Sequence, residues 1–156
     1  MATTTDAVLT QLKTVIAAIT TGGGYHYSLD GSDQVLVGNY PESAREGVAS
    51  VQVADWSVTS SYDADLNSFR RTLRFVLLGR VPADGDSTED RAIATARLLD
   101  DVISAIEKSY TLGGNVLSTI IEDSGPVDGM AGDIERTGAF AAVGTCYWIA
   151  TREVGI

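Results

Sequence analysis

The sequence predicts an α+β domain: a largely antiparallel, or mixed, sheet with two helices packed on one face and a long protruding β-hairpin. Three observations carry that class. Two stretches, residues 6–19 and 88–112, repeat apolar residues at helical spacing, while Phe69 to Val81 alternates with a period of two. The order is helix, several strands, helix, two strands, without the strand–helix–strand alternation of a parallel sheet. The chain of 156 residues fits one domain, 1–156, with residues 1–5 expected as a flexible tail. A domain of this size buries about 70% of the surface its unfolded chain exposes.

The first helix is predicted from an N-cap at Thr5 or Asp6 to about Ile19. Val8, Leu9, Leu12, Val15, Ile16 and Ile19 fall on one stripe; Thr10, Lys13, Thr14 and Ala17 lie opposite. Gly22, Gly23 and Gly24 end it. Tyr25 to Tyr27 and Gln34 to Val37 flank the turn signal Asp30-Gly31, as a small hairpin or a loop. Two long strands follow, Val48 to about Ser60 and Phe69 to Val81, joined by the polar tip SYDADLNS. In the first, Val51 and Val53 point one way and Trp56 and Val58 the other, which predicts a bulge near Ala54-Asp55.

An acidic loop around Asp84, Gly85 and Asp86 leads to the second helix, capped by Ser87 or Thr88 with Glu89 and Asp90 in its first turn. Its expected buried stripe is Ala92, Thr95, Leu99, Val102, Ile103, Ile106 and Tyr110. Asp100, Asp101, Ser104, Glu107 and Lys108 form the expected wet side, and Ile93 lies off the stripe. Gly113 or Gly114 supplies a left-handed stop. Val116 to Ile121 and Gly138 to Arg152 read as the last strands, around a Gly-rich acidic loop from Glu122 to Glu135 that is long for a compact domain.

Eleven Lys and Arg against 21 Asp and Glu give a net charge of −10, which repels phosphate backbones and argues against reading DNA or RNA. An acidic wall past which DNA slides is compatible with it. The single Cys146 leaves no internal disulfide and points to a reducing compartment. MATTTD has neither a basic nor an apolar leader region, and no apolar run approaches the ~20 residues that span a bilayer, so neither export nor a membrane partner is expected.

Candidate chemistry is sparse. DADLN, from Asp63 to Asn67, and DGDSTED, from Asp84 to Asp90, begin like calcium loops. They place Ser68 and Arg74, or Glu89 and Thr95, where Gly and a bidentate Glu belong, so both read as solvated acidic turns. One His and one Cys do not make a zinc cluster. Cys146, within GTCYWIA, reads as a packed thiol, and His26 as a surface or half-buried residue lacking a visible partner. No catalytic residue, cofactor site or metal site is expected, and the chain is read as a non-enzyme.

Large aromatics and a basic strand are the remaining candidates. Most of Trp56, Tyr62, Phe69, Tyr147 and Trp148 are expected in the core, but Trp56 and Trp148 each have apolar neighbours of opposite phase, which places at least one of them at a subunit interface. Arg70, Arg71, Arg74 and Arg80 fall in one strand of an acidic chain, as a solvated face or a surface that docks an acidic patch. The candidate interface is Trp56, Tyr62, Asp63, Asp65, Phe69, Arg70, Arg74, Arg80, Asp84 and Asp86.

A short amphipathic helix, a long bulged hairpin, the helix LLDDVISAIEKSYTLGG and a closing pair of strands ending at TREVGI together resemble the tail terminator, or tail completion, proteins of long-tailed bacteriophages. The resemblance is one of layout over most of the chain. It implies a virion protein of the tail, at the head–tail junction, assembled in the host cytoplasm. It also implies a homo-oligomeric ring, six subunits in the family, that stops elongation of the tail tube and offers its other face to the neck. Its partners are then itself, the tail-tube protein and a neck or head–tail connector protein, with DNA passing the lumen without specific binding. Within such a ring the Arg-bearing strand would meet the Asp63/Asp65 tip or the Asp84/Asp86 loop of a neighbour. The alternatives are another head–tail connector, a tail-tube-like ring protein, or a small α+β ligand-binding protein or enzyme with the loop from Glu122 to Glu135 as a lid.

Overall fold

The computed structural model describes residues 3–38, 48–64, 67–82, 88–127 and 137–151. The expectations placed on Asp65, Asp84, Asp86, the greater part of the loop to Glu135 and the closing residues after Thr151 lie outside these. The fold is α+β, with two α-helices and a five-stranded, mostly antiparallel mixed sheet among the described residues. Its elements are α1 (Thr5–Ala17), a 3-10 turn (Thr21–Gly23), β1 (Val35–Val37), β2 (Ser50–Asp63), β3 (Ser68–Pro82), α2 (Thr88–Lys108), β4 (Ser118–Pro126) and β5 (Thr137–Thr151).

Helix α1 forms where the apolar spacing demands it. Thr4, one residue ahead of the expected cap, accepts the Ala7 N–H, and Val8, Leu9, Leu12 and Ile16 are buried. Thr3, in the stretch expected to trail freely, donates its hydroxyl to the Asn115 carbonyl at 2.7 Å. Of the two short segments left open as hairpin or loop, only Val35–Val37 becomes a strand, and it pairs with β2 in parallel, so no hairpin forms there.

The sheet order is β1-β2-β3-β5-β4, with every pair antiparallel except β1 with β2. The expected bulge is present: the register shifts between Val53, opposite Leu77, and Asp55, opposite Val76. One extra residue reverses the alternation, so Val51 and Val53 on one side of the bulge and Trp56 and Val58 on the other share one face. That face carries Leu73, Phe75 and Leu77 of β3 and Ala142, Cys146 and Trp148 of β5, all buried beneath the helices. The opposite face bears Arg70, Thr72, Arg74, Val76, Leu78 and Arg80 of β3 beside Val143, Thr145, Tyr147 and Ile149 of β5. None of these ten is buried, and no described helix covers them.

Two rings lie flat on glycines of the neighbouring strand. Phe75 packs over Gly144, and Phe140 over Gly79, where any Cβ would collide with the ring. At Gly138 the Thr95 side chain and, at 2.7 Å, the Arg91 carbonyl of α2 would also meet an added Cβ, so glycine there admits the helix to the sheet.

Two expected elements are corrected. The buried stripe of α2 is Ala94, Thr95, Leu98, Asp101, Val102, Ala105 and Ile106, whereas Ala92 and Tyr110 are exposed, as is the off-stripe Ile93. The helix is turned because Asp101, expected on the wet side, has backbone donors waiting for it inside. Glu122 to Pro126, expected as loop, continue β4. A second bulge, between Ile121 and Asp123, lets the acidic and Gly-Pro residues go on pairing along an edge, where proline and charge are tolerated. The helix stops earlier than expected, at Lys108; Gly113 and Gly114 are left-handed, at φ 69 and 87, but sit in the turns that follow, after Leu112 at φ 46.

Candidate functional site

The hairpin of β2 and β3 is the first candidate surface. Its helix-side row beyond the bulge holds Trp56, Val58 and Tyr62, and Phe69 faces Tyr62 across the ladder. Val58 still packs on the core, but Trp56 and Tyr62 are 45% and 46% exposed. The Tyr62 and Phe69 rings are tilted with centroids 5.0 Å apart, and the Tyr62 hydroxyl donates to Asn67 Oδ1 at 2.9 Å. The structure thereby resolves the two tryptophans: Trp148 is core and Trp56 is surface. Asp63 ends β2 opposite Ser68 and is exposed.

The second surface is the open face of the sheet. Even spacing puts Arg70, Arg74 and Arg80 on it, while Arg71 falls on the helix side opposite Trp148. The Arg70 guanidinium lies 4.0 Å from the Tyr147 ring centroid, which holds it flat on the sheet. Asp55 on β2 and Asp123 on β4 register with the same face, and Glu122 accepts a bond from Thr145 at 3.0 Å. A central basic row thus runs between two acidic margins.

A third cluster was not legible in the sequence. The Asp101 carboxylate, 3% exposed, accepts the His26 N–H at 3.1 and 3.0 Å and the Tyr27 N–H at 3.0 Å, and its Oδ1 lies 2.9 Å from His26 Nδ1. His26, read as partnerless, therefore has a carboxylate partner from α2. Lys108, two turns further along the helix, lies 5.0 Å over the Tyr25 ring. The arrangement clamps residues 25–27 to α2 and fixes one imidazole nitrogen while half the side chain stays exposed.

Cys146 is a packed thiol in β5, 1% exposed, and burial pushes its pKa up to about 12. Among the described residues, no helix is long and apolar enough to cross a membrane. No protein-family model matches the chain, and no curated protein matches it.

Proposed function

We propose that the chain is a structural virion protein that assembles into a ring, caps the tail tube of a long-tailed phage, and presents a docking surface to the head–tail neck. The observation that carries this reading is the long bulged hairpin with exposed Trp56 and Tyr62, set in the chain between the amphipathic helix α1 and helix α2, which ends in LLDDVISAIEK. Solvent-facing tryptophan and tyrosine on a rigid strand pair are contact anchors of the kind that dominate interfaces. The basic row of Arg70, Arg74 and Arg80 in a chain of net charge −10 supports contact between copies, since the acidic partner it fits is the chain itself. In this reading the ring's partners are further copies, six in all, the tube protein and a neck protein, and DNA passes through it. The reaction it performs is assembly alone.

Mass in solution, with electron microscopy of purified protein alone and mixed with tail tubes, tests the proposal. Rings that sit on tube ends and halt growth support it; spontaneous long tubes would make the chain a tube subunit. A compact monomer indifferent to tubes would overturn it.

The His26–Asp101 pair favours a second reading, as a small α+β enzyme, because a carboxylate at Nδ1 is how an imidazole general base is held. The two readings separate on His26→Ala. The variant keeps ring formation and tube capping if the first reading holds, and abolishes an activity if the second does.

A further inference from the structure

Asp30 and Gly31, a turn signal in the sequence, sit in a loop shaped by one side chain, Gln34. Its Oε1 accepts the Gly31 N–H at 2.7 Å, and its Nε2 donates to the Ser28 carbonyl at 3.0 Å and to the Ala49 carbonyl at 2.8 Å. Its backbone closes the turn as well: the Gln34 N–H donates to the Gly31 carbonyl, and the Gln34 carbonyl accepts the Val51 N–H of β2. On the other flank the Leu29 N–H donates to the Ile19 carbonyl, just past the end of α1, and Leu29 is fully buried. The loop is thus pinned at Leu29 and at Gln34, with Asp30 and Gly31 between the pins.

Gln34 also decides what stands at position 31. A Cβ there would run into the Gln34 carboxamide and push it off its partners, so only glycine leaves the turn in place. Asp30 is exposed, and its carboxylate has no partner among the described residues. A free aspartate carboxyl followed by glycine is the pairing most open to imide formation, because glycine carries no side chain to shield its nitrogen. The Gly31 nitrogen attacks Asp30 Cγ; its proton and the hydroxyl of the carboxyl group leave as water. Water then reopens the five-membered imide, and opening at the Asp30 main-chain carbonyl leaves an isoaspartyl link that runs through Cβ and Cγ. The sequence of steps balances without an oxidant, a cofactor or a second protein.

We infer that Asp30-Gly31 is an isoaspartate modification site that Gln34 holds shut. The attack requires the Gly31 nitrogen to give up its proton and turn toward Cγ, whereas in the closed turn that N–H is engaged by Gln34 Oε1. Reaction therefore proceeds from an opened turn, and its rate follows how often the Gln34 bonds break. The product loosens the same loop, because the added main-chain carbon lies between the two pins and works against Leu29 and Gln34 keeping their partners together. β1 begins directly after Gln34, so the damage reaches the sheet where β1 pairs in parallel with β2. The inference goes beyond the ring proposal and does not depend on it.

Ageing of the full chain near neutral pH at body temperature tests it. Isoaspartate is read by peptide mapping and by methyl transfer from S-adenosylmethionine, with an isoaspartyl methyltransferase as the probe. Native protein should form it at residue 30 about tenfold more slowly than a free peptide of residues 27–34. Gln34→Ala, shown by circular dichroism to be folded, should close most of that gap, and Asp30→Glu should form none at residue 30. Asp30→Asn keeps Gln34 and reaches the same imide with loss of ammonia. Its deamidation, read by mass, should be slowed by folding to the same degree relative to the matching peptide, and this arm stands even if Gln34→Ala does not fold. Equal rates in native protein and peptide overturn the inference, as do equal rates in native protein and folded Gln34→Ala. Deamidation of Asp30→Asn as fast in the folded chain as in its peptide overturns it too.

Discussion

Asp101 and His26 lie 75 residues apart in the chain, yet the Asp101 carboxylate accepts the His26 N–H and has His26 Nδ1 2.9 Å from its Oδ1. A carboxylate only 3% exposed is tolerable because the donors come to it from a loop that has no regular ladder of its own. Asp101→Asn replaces one acceptor oxygen with a donor that faces those N–H groups. It should cost about 1.5–3 kcal/mol in urea unfolding and raise amide exchange at His26 and Tyr27. His26→Ala, which leaves both backbone bonds in place, should cost less than half as much.

Packing of rings on glycine gives a second expectation. Gly144→Ala puts a methyl group into the Phe75 ring and within 3.0 Å of the Ile120 carbonyl, and Gly79→Ala does the same to the Phe140 ring. Each should destabilise by about 1–3 kcal/mol, measured by denaturant midpoint. Phe75→Leu combined with Gly144→Ala should be less harmful than the sum of the two. Gly125→Ala, with nothing within 4 Å of the added carbon, should be close to neutral.

Cys146 should resist iodoacetamide in the native protein at pH 8 and react on unfolding, because the buried thiol keeps its proton up to about 12. Its folded value lies above the reference of 9.0, so its share of stability is full below pH 9.0. That share is lost as the pH rises from there toward about 12. Cys146→Ser should remove that alkaline loss at some cost in packing, read by thermal melts between pH 8 and 11.

Reversing charge in the basic row separates folding from assembly. Arg74 is exposed, so Arg74→Glu should change stability by no more than about 0.5 kcal/mol. Arg70→Glu also loses the contact with Tyr147, worth about 0.5–1 kcal/mol. The double reversal should weaken ring formation and flatten its dependence on salt. Unchanged assembly at every ionic strength would exclude pairing of this row with an acidic patch of a neighbour.

What the sequence made legible was whatever depends on neighbours along the chain. The stripe of α1, the period of β3 and the bulge after Val53 follow from local spacing, and the structure has each of them. The face of α2 did not follow, because an aspartate reads as solvent-facing unless its donors are known, and these sit in a loop 74 and 75 residues away. β4 ran past its apparent end for a similar reason: glycine, proline and acids signal a loop except on a sheet edge, and the edge is a property of the whole sheet. Of the candidate residues, Trp56, Tyr62, Arg70 and Arg74 are exposed and Phe69 and Arg80 half-buried, whereas the partner of His26 was invisible.

The central seam of the sheet joins β3 to β5, whose partners are separated by 137 − 82 = 55 to 151 − 68 = 83 residues. Such non-local pairing is slow to form, because loop closure must precede the contacts that reward it. On a ribosome, the hairpin of β2 and β3 emerges long before β5, and until then one flank of β3 lacks its native partner. Phe140 and Trp148, both buried in the finished core, arrive only with that last strand. The folding subunit therefore gains its hydrophobic layer late, and a chain stalled or cut before residue 137 would present the bare flank of β3 to chaperones and to other nascent copies.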